Sequence, residues 1–336
     1  MRRMVGRRGV GGAGSPPPAE GETADDAVTP GQIGARGWRL LLRRAARHVV
    51  AERLPLLSAG TAFFAILSIA PVLVTALSVY GAVNTPAQAL NQLSRVAEML
   101  PAQLQPLVTD QLTNIAAASN KVLTLRGLTG LVLAMWTATT AMVSLIDALT
   151  VAYHETETRS FLRRTALALA FVLGGALLLG AVITIAGVAS REIRQAPGPV
   201  RAAAPVFTWL ALAALMAAAL AVLYRFAPDR KDARWRWVTL GAMGATALWL
   251  ATSLTLFAYV QRLGTYGTTY GSLAGVAISM FWLWISVLLV VVGAAVNGEA
   301  ERQTVRDSTI GAERPMGERG AVVADTAPPF PDDQDS

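Results

Sequence analysis

Gly264-Thr265-Tyr266-Gly267-Thr268-Thr269-Tyr270-Gly271-Ser272 joins two long apolar runs, Trp237–Val260 before it and Leu273–Val296 after it. The second run holds 24 residues without a charge. As an α-helix rising about 1.5 Å per residue it is roughly 36 Å long, enough to cross the hydrocarbon core of a bilayer with some tilt. Gly267, Gly271, Gly275 and Ser279 fall four apart, so in a helix they align as a ridge with almost no side chain. Such a ridge lets a second backbone approach closely, which is how helices pack where lipid removes the hydrophobic drive between them. The same Gly-Thr-Thr-Tyr-Gly also suits a turn, so part of the ridge can be connector.

Working outward, four more runs have the same character, at about 56–80, 123–146, 166–189 and 206–224. The chain has 336 residues, 53% of them hydrophobic and 15% charged. That balance is rare in soluble proteins, and six long apolar runs predict an all-α polytopic membrane protein with six spans. Pro71 falls inside the first span, where it removes a backbone donor and predicts a kink. Thr137, Thr140 and Ser144 sit in the second, as candidate polar contacts for a pathway. The bland alternative for such hydroxyls is a local hydrogen bond or one to a neighbouring helix.

The segments outside the spans differ from one another. Residues 1–35 are rich in Gly, Pro and charge without an apolar period, and read as a disordered arm. Arg2-Arg3 and Arg7-Arg8 precede no apolar core, which argues against a cleaved signal. Residues 36–53 are amphipathic. Trp38, Leu41, Leu42, Ala45 and Val49 share one face, with Arg39, Arg43 and Arg47 elsewhere. This predicts an interfacial helix on an anionic membrane surface, although a surface helix packed on the protein gives the same pattern. Residues 84–122 carry two short amphipathic stretches punctuated by Pro86 and Pro101, expected as an outer helical hairpin between spans one and two. Residues 303–336 read as a disordered tail, which leaves 36–302 as the membrane domain.

Orientation follows from Lys and Arg. With the N-terminus inside, 22 of the 29 fall on the cytoplasmic side and 7 on the outer side. Both termini are therefore expected in the cytoplasm.

The run Gly264–Gly275, the tryptophans Trp282 and Trp284, and Gly293-Ala294-Ala295-Val296-Asn297-Gly298-Glu299 together resemble the YihY/BrkB family of bacterial inner-membrane proteins. Ser58-Ala59-Gly60-Thr61-Ala62-Phe63-Phe64 resembles that family's first span. The resemblance covers about residues 40–302. It implies an inner-membrane, transport-type protein of unstated substrate, and it draws attention to Tyr266, Gly267, Tyr270, Gly271, Gly275 and Asn297 as packing or pathway residues. One departure is Ala295, where the family usually carries glutamate.

The chemistry of known catalytic sites is hard to find in this chain. With no cysteine, a disulfide, a thiol nucleophile and an iron–sulfur site are excluded. The family has carried a ribonuclease label, but a metal nuclease needs clustered carboxylates or histidines. The two histidines, His48 and His154, are 106 positions apart. Asp147, His154, Glu155 and Glu157 form the nearest approach to a cluster, and charged residues at the end of a span ordinarily face water. No phosphate-cradling loop or dinucleotide fingerprint occurs. No cofactor, no metal and no nucleic-acid partner is expected. The span cores hold no ionisable residue, and Asn297, Glu299 and Glu301 are expected at or beyond the interface. Proton coupling is thereby disfavoured, since it commonly needs an intramembrane ionisable group. Two readings remain: a transport-type protein handling lipid or another amphiphile, and a structural or envelope-maintenance protein. For the first, Arg234 and Arg236 are candidate contacts for an anionic lipid headgroup. Association of like chains is left open.

Overall fold

The computed structural model describes residues 34–83, 120–195, 197–231, 233–262, 272–303, 308–310 and 314–326. Eight helices occur among them: α1 (Ala35–Ala51), α2 (Leu54–Val83), α3 (Asn120–Ala152), α4 (Phe161–Gln195), α5 (Gly198–Phe226), α6 (Trp235–Arg262), α7 (Ser272–Glu301) and the short α8 (Val322–Asp325). Six of them, α2 to α7, are long and apolar enough to cross a membrane, as the sequence predicts. Each runs beyond its apolar stretch. A backbone in lipid must satisfy its own hydrogen bonds, and the helical ladder simply continues into the flanking polar residues. The helix α4 runs on to Gln195 and α5 begins at Gly198, so helix takes up most of the stretch between the third and fourth apolar runs. Pro199 sits in the first turn of α5, where its missing N–H has no helical partner to lose.

The helices α2 and α3 pack along one another over most of their length, and α7 is the hub that touches α1, α2, α3, α6 and α8. The α4 helix lies at the periphery, packed on α3 and meeting α5 sparsely. Tryptophans fasten the hub. Trp284 donates to the Pro55 carbonyl at 3.0 Å, Trp249 to Ser286 Oγ at 2.9 Å and Trp282 to Ser253 Oγ at 3.2 Å. Where α6 crosses α7, Gly241 and Gly293 come together. A methyl on Gly241 would run into the Gly293 carbonyl and the Asn297 amide. The crossing therefore uses glycines outside the predicted ridge. Of that ridge, Gly275 is half-buried and Ser279 exposed within α7, while Gly267 and Gly271, with Tyr266 and Tyr270, lie outside the described residues. The expected hairpin also falls there, except for its last residues, 120–122, which begin α3.

The bundle has two unlike ends. The start of α2, the end of α3, the end of α5, the start of α6 and the end of α7 gather at one end, called here the foot. There the main core forms around Leu54, Ile146, Tyr153, Tyr224, Val238 and Val291. The helix α1 lies across the foot with Leu41 buried against Trp237 and Ala300. Its apolar face is thus turned largely onto protein, with Leu42 left exposed, while Arg39, Arg43 and Arg47 point outward. Part of the tail also returns to the foot. Ala233 bridges Thr309, Lys231 N–H donates to the Gly320 carbonyl at 3.1 Å, and Val323 is fully buried. Over 308–310 and 314–326 this differs from the disordered tail expected from composition. Val323 sits in the four-residue apolar run 321–324, which is too short to give a periodic signal.

Candidate functional site

Most of the buried polar chemistry described here is at the foot, on the last turns of α7. The Asn297 Oδ1 accepts from the Gly241 N–H at 2.7 Å, and its Nδ2 donates to the Val238 carbonyl at 3.1 Å and to the Tyr153 hydroxyl at 3.3 Å. Tyr224 donates to the Val290 carbonyl at 2.7 Å. Glu301 accepts from Arg230 Nη2 at 2.7 Å and from Ser308 Oγ at 3.1 Å, and both members of this ion pair are fully shielded from water. The Arg230 guanidinium lies 4.7 Å above the Tyr153 ring. Burial by itself would lower the Arg230 pKa, but Glu301 holds it above its ordinary value. Burial also pushes the Tyr153 phenol well up.

Beside this pair the two histidines meet. The rings of His48 and His154 stack with centroids 3.7 Å apart. His48 Nε2 faces the Val151 carbonyl at 3.0 Å and therefore carries the proton. His154 Nε2 is 2.8 Å from Glu299 Oε1, which Arg302 Nη1 also contacts at 3.0 Å. His154 takes a φ of +59° in the turn that ends α3, a region a side chain enters at some cost. The turn aims the ring at α1 and α7. Burial and the neighbouring ring lower the pKa of His48 from 6.5.

The sequence-predicted residues fare unevenly. Asn297, Glu299 and Glu301, expected at or beyond the interface, are buried. The tail and α1 cover them, which no local pattern reveals. Ala295 is also fully buried, in the apolar core. Ser144 bonds across to Thr61 at 2.9 Å and so ties α2 to α3. Thr137 donates back to the Leu133 carbonyl and Thr140 to that of Trp136, both at 2.8 Å. Thr75 returns the same kind of bond to Pro71. Arg234 donates to the Thr309 carbonyl at 3.0 Å, while Arg236 is exposed. Asp147, His154, Glu155 and Glu157 do not converge as one group. Asp147 pairs with Arg164 and Glu157 with Arg159, and Glu155 accepts from the Val322 N–H. Among the described residues, no three of His, Asp or Glu are grouped so as to hold a metal ion.

The open space lies elsewhere, along α4 and α5. Near the foot a cavity of about 510 Å³ is lined by Leu167, Phe171, Gly174, Gly175, Val222 and Phe226, among others. Further along the same two helices a larger one of about 960 Å³ lies between Val182–Ile193 and Pro199–Leu215. The lining positions of α4 step by three and four residues from Leu167 to Ile193, and those of α5 do the same from Pro199 to Phe226. Both cavities therefore belong to one seam between two helices that barely touch. Its walls are apolar and open sideways. A smaller apolar pocket of about 250 Å³ separates α2 from α7, lined by Ala59, Ala62, Phe63, Met280, Phe281 and Trp284.

Six apolar helices tied together at one end and split along an apolar seam define an α-helical membrane protein. Residues 45–317 match the family model described as virulence factor BrkB, and the chain belongs to that family. It is 29% identical over 177 residues to a ribonuclease-like protein, YfkH, of Bacillus subtilis, covering 50% of this chain and 63% of that one. It is 24% identical over 265 residues to a UPF0761 membrane protein of Methylibium petroleiphilum, covering 78% and 62%. A UPF0761 membrane protein of Ralstonia nicotianae is 26% identical over 268 residues, covering 77% and 58%. The chain thus spans about three fifths of the length of these curated relatives. No solved structure matches it.

Proposed function

We propose that this is a transport-type protein of the bacterial inner membrane, with both termini in the cytoplasm, that handles membrane lipid or a similar amphiphile. The observation that carries this reading is the α4–α5 seam. Its apolar, sideways-open walls suit acyl chains, and its larger cavity of about 960 Å³ lies within the usual size of ligand sites, about 300–1,000 Å³. The hydroxyls of Thr137 and Thr140 bond within their own helix, which argues against a hydrated path for small ions there. Membrane lipid is the partner this reading requires, and nucleic acid has no part in it. The word ribonuclease in one relative's name finds little support, because Glu299 and Glu301 are each engaged by a cation rather than grouped around a metal.

A second reading, a structural or envelope-maintenance protein, rests on the tight Gly241–Gly293 crossing and the densely bonded foot. Reconstitution into liposomes separates the two. Fluorescent phospholipid added to one leaflet is expected to equilibrate faster than in empty liposomes, while potassium and chloride flux stay at background. Ion flux without lipid movement would overturn the lipid reading. Neither activity would favour the structural one.

A further inference from the structure

Arg225 lies in the last turn of α5, beside Phe226, the last α5 residue to line the seam. It follows Val222 by three residues and precedes Phe226, both of which line the foot-side cavity. Its guanidinium carbon lies 4.3 Å from the Trp235 ring centroid and 5.2 Å from that of Phe226. Those two rings meet edge to face, with centroids 6.3 Å apart. Nε and Nη1 of Arg225 are shielded from water and donate to no protein acceptor. Arg225 as a whole is half-buried, and Arg230, whose side chain is fully shielded, has its carboxylate. Arg225 carries a full charge held by aromatic faces, and aromatic faces satisfy charge but accept no conventional hydrogen bond. A shielded guanidinium N–H with no acceptor is unfavourable, and a phosphate oxygen is the acceptor that its planar fork fits.

A second observation lies a few residues away. Gly174 and Gly175 line the same cavity, yet a methyl on either would meet no protein atom within 4 Å. Small residues inside membranes ordinarily let helices close together. These two keep the seam open instead.

We propose that the foot end of the α4–α5 seam binds one anionic glycerophospholipid, its phosphate on Arg225 between Trp235 and Phe226 and an acyl chain along Gly174 and Gly175. This rests on the lipid reading above and moves the headgroup contact from Arg234 and Arg236 to Arg225. Phosphate and apolar contact are both needed. Arg225 supplies the selectivity for negative charge, and the seam supplies the preference for a lipid over a soluble phosphate.

The test is native mass spectrometry of the full-length protein after exchange into detergent with phosphatidylglycerol or phosphatidylcholine added. The wild type is expected to retain phosphatidylglycerol about fivefold or more over phosphatidylcholine. Arg225→Gln should bring the first down to the level of the second. Gly174→Leu should lower retention of both lipids without changing the thermal midpoint, since it fills empty space. Equal retention of the two lipids by the wild type, or undiminished phosphatidylglycerol on Arg225→Gln, overturns the site. If Arg225→Gln does not fold, unchanged retention on Gly174→Leu overturns it instead. Lipid movement in liposomes with no selective retention would sink this site and leave the proposed function standing. Selective retention that depends on Arg225, without lipid movement, would do the reverse.

Discussion

The ion pair between Arg230 and Glu301 spans 2.7 Å, and neither side chain reaches water. It is not fully satisfied, since Arg230 Nη1 and Glu301 Oε1 have no protein partner. Removing one member leaves the other charged and shielded. Arg230→Met is expected to destabilise the protein by about 3–5 kcal/mol, and adding Glu301→Leu should recover most of that loss. Thermal unfolding in detergent measures both; a double variant no better than the single would show that the pair is not the unit. His48 gives a pH dependence with a definite sign. Its folded pKa lies below 6.5, so the unfolded chain binds more protons between the two values. Its contribution to stability is therefore present above about 6.5 and lost as pH falls through the folded value. Around the ring stand His154, Glu299 and Glu52, with the Val151 carbonyl on Nε2. Glu155 works in the opposite direction nearer 4.5, because burial raises its pKa. The midpoint of the wild type should drop between pH 7.5 and pH 5.5, and His48→Phe should flatten that drop; equal slopes would remove His48 as the cause. None of this was legible in the sequence. His48 and His154 are far apart along the chain and neither stands in a motif. Their meeting depends on where α1 lands on the foot.

The helices themselves were legible, because a run of some 20 apolar residues has few alternatives to a span. Their contacts were not. The regular spacing of Gly267, Gly271 and Gly275 drew attention to one end of α7, while the close crossing of α6 on α7 uses Gly241 and Gly293, 52 positions apart. Two glycines on different helices share no spacing that a reader of sequence could recognise. The prediction at this scale is a contrast within α6. Gly241→Val should greatly reduce the yield of folded protein in membranes, because its side chain meets Gly293 and Asn297. Gly244→Val should behave as wild type, because a side chain there meets no protein atom within 4 Å. Expression with a fluorescence-detected size-exclusion trace distinguishes them, and equal profiles would refute the crossing.

Across the whole molecule, the foot joins segments from both ends of the described chain. Gly317, Arg319 and Gly320 N–H groups converge on Asp325, forming a compact loop that presents Val323 to the core. Ser308 reaches Glu301 and the Thr309 carbonyl receives Arg234. A chain ending at Gln303 is therefore expected to lose about 2 kcal/mol or more, from one buried valine and several hydrogen bonds, read as a lower midpoint in detergent; an unchanged midpoint would make the tail an ornament. The hub position of α7 has a further consequence for biosynthesis. Gly241, Tyr153, His154 and Arg230, which partner Asn297, Glu299 and Glu301, are translated earlier, and only Arg302 and Ser308 among their named partners follow. The five earlier spans are therefore expected to enter the bilayer before α7 supplies the partners of these groups at the foot. A nascent chain that stalls before α7 is then an open bundle, recognisable to membrane quality control, and the arrival of the last span is the event that closes it.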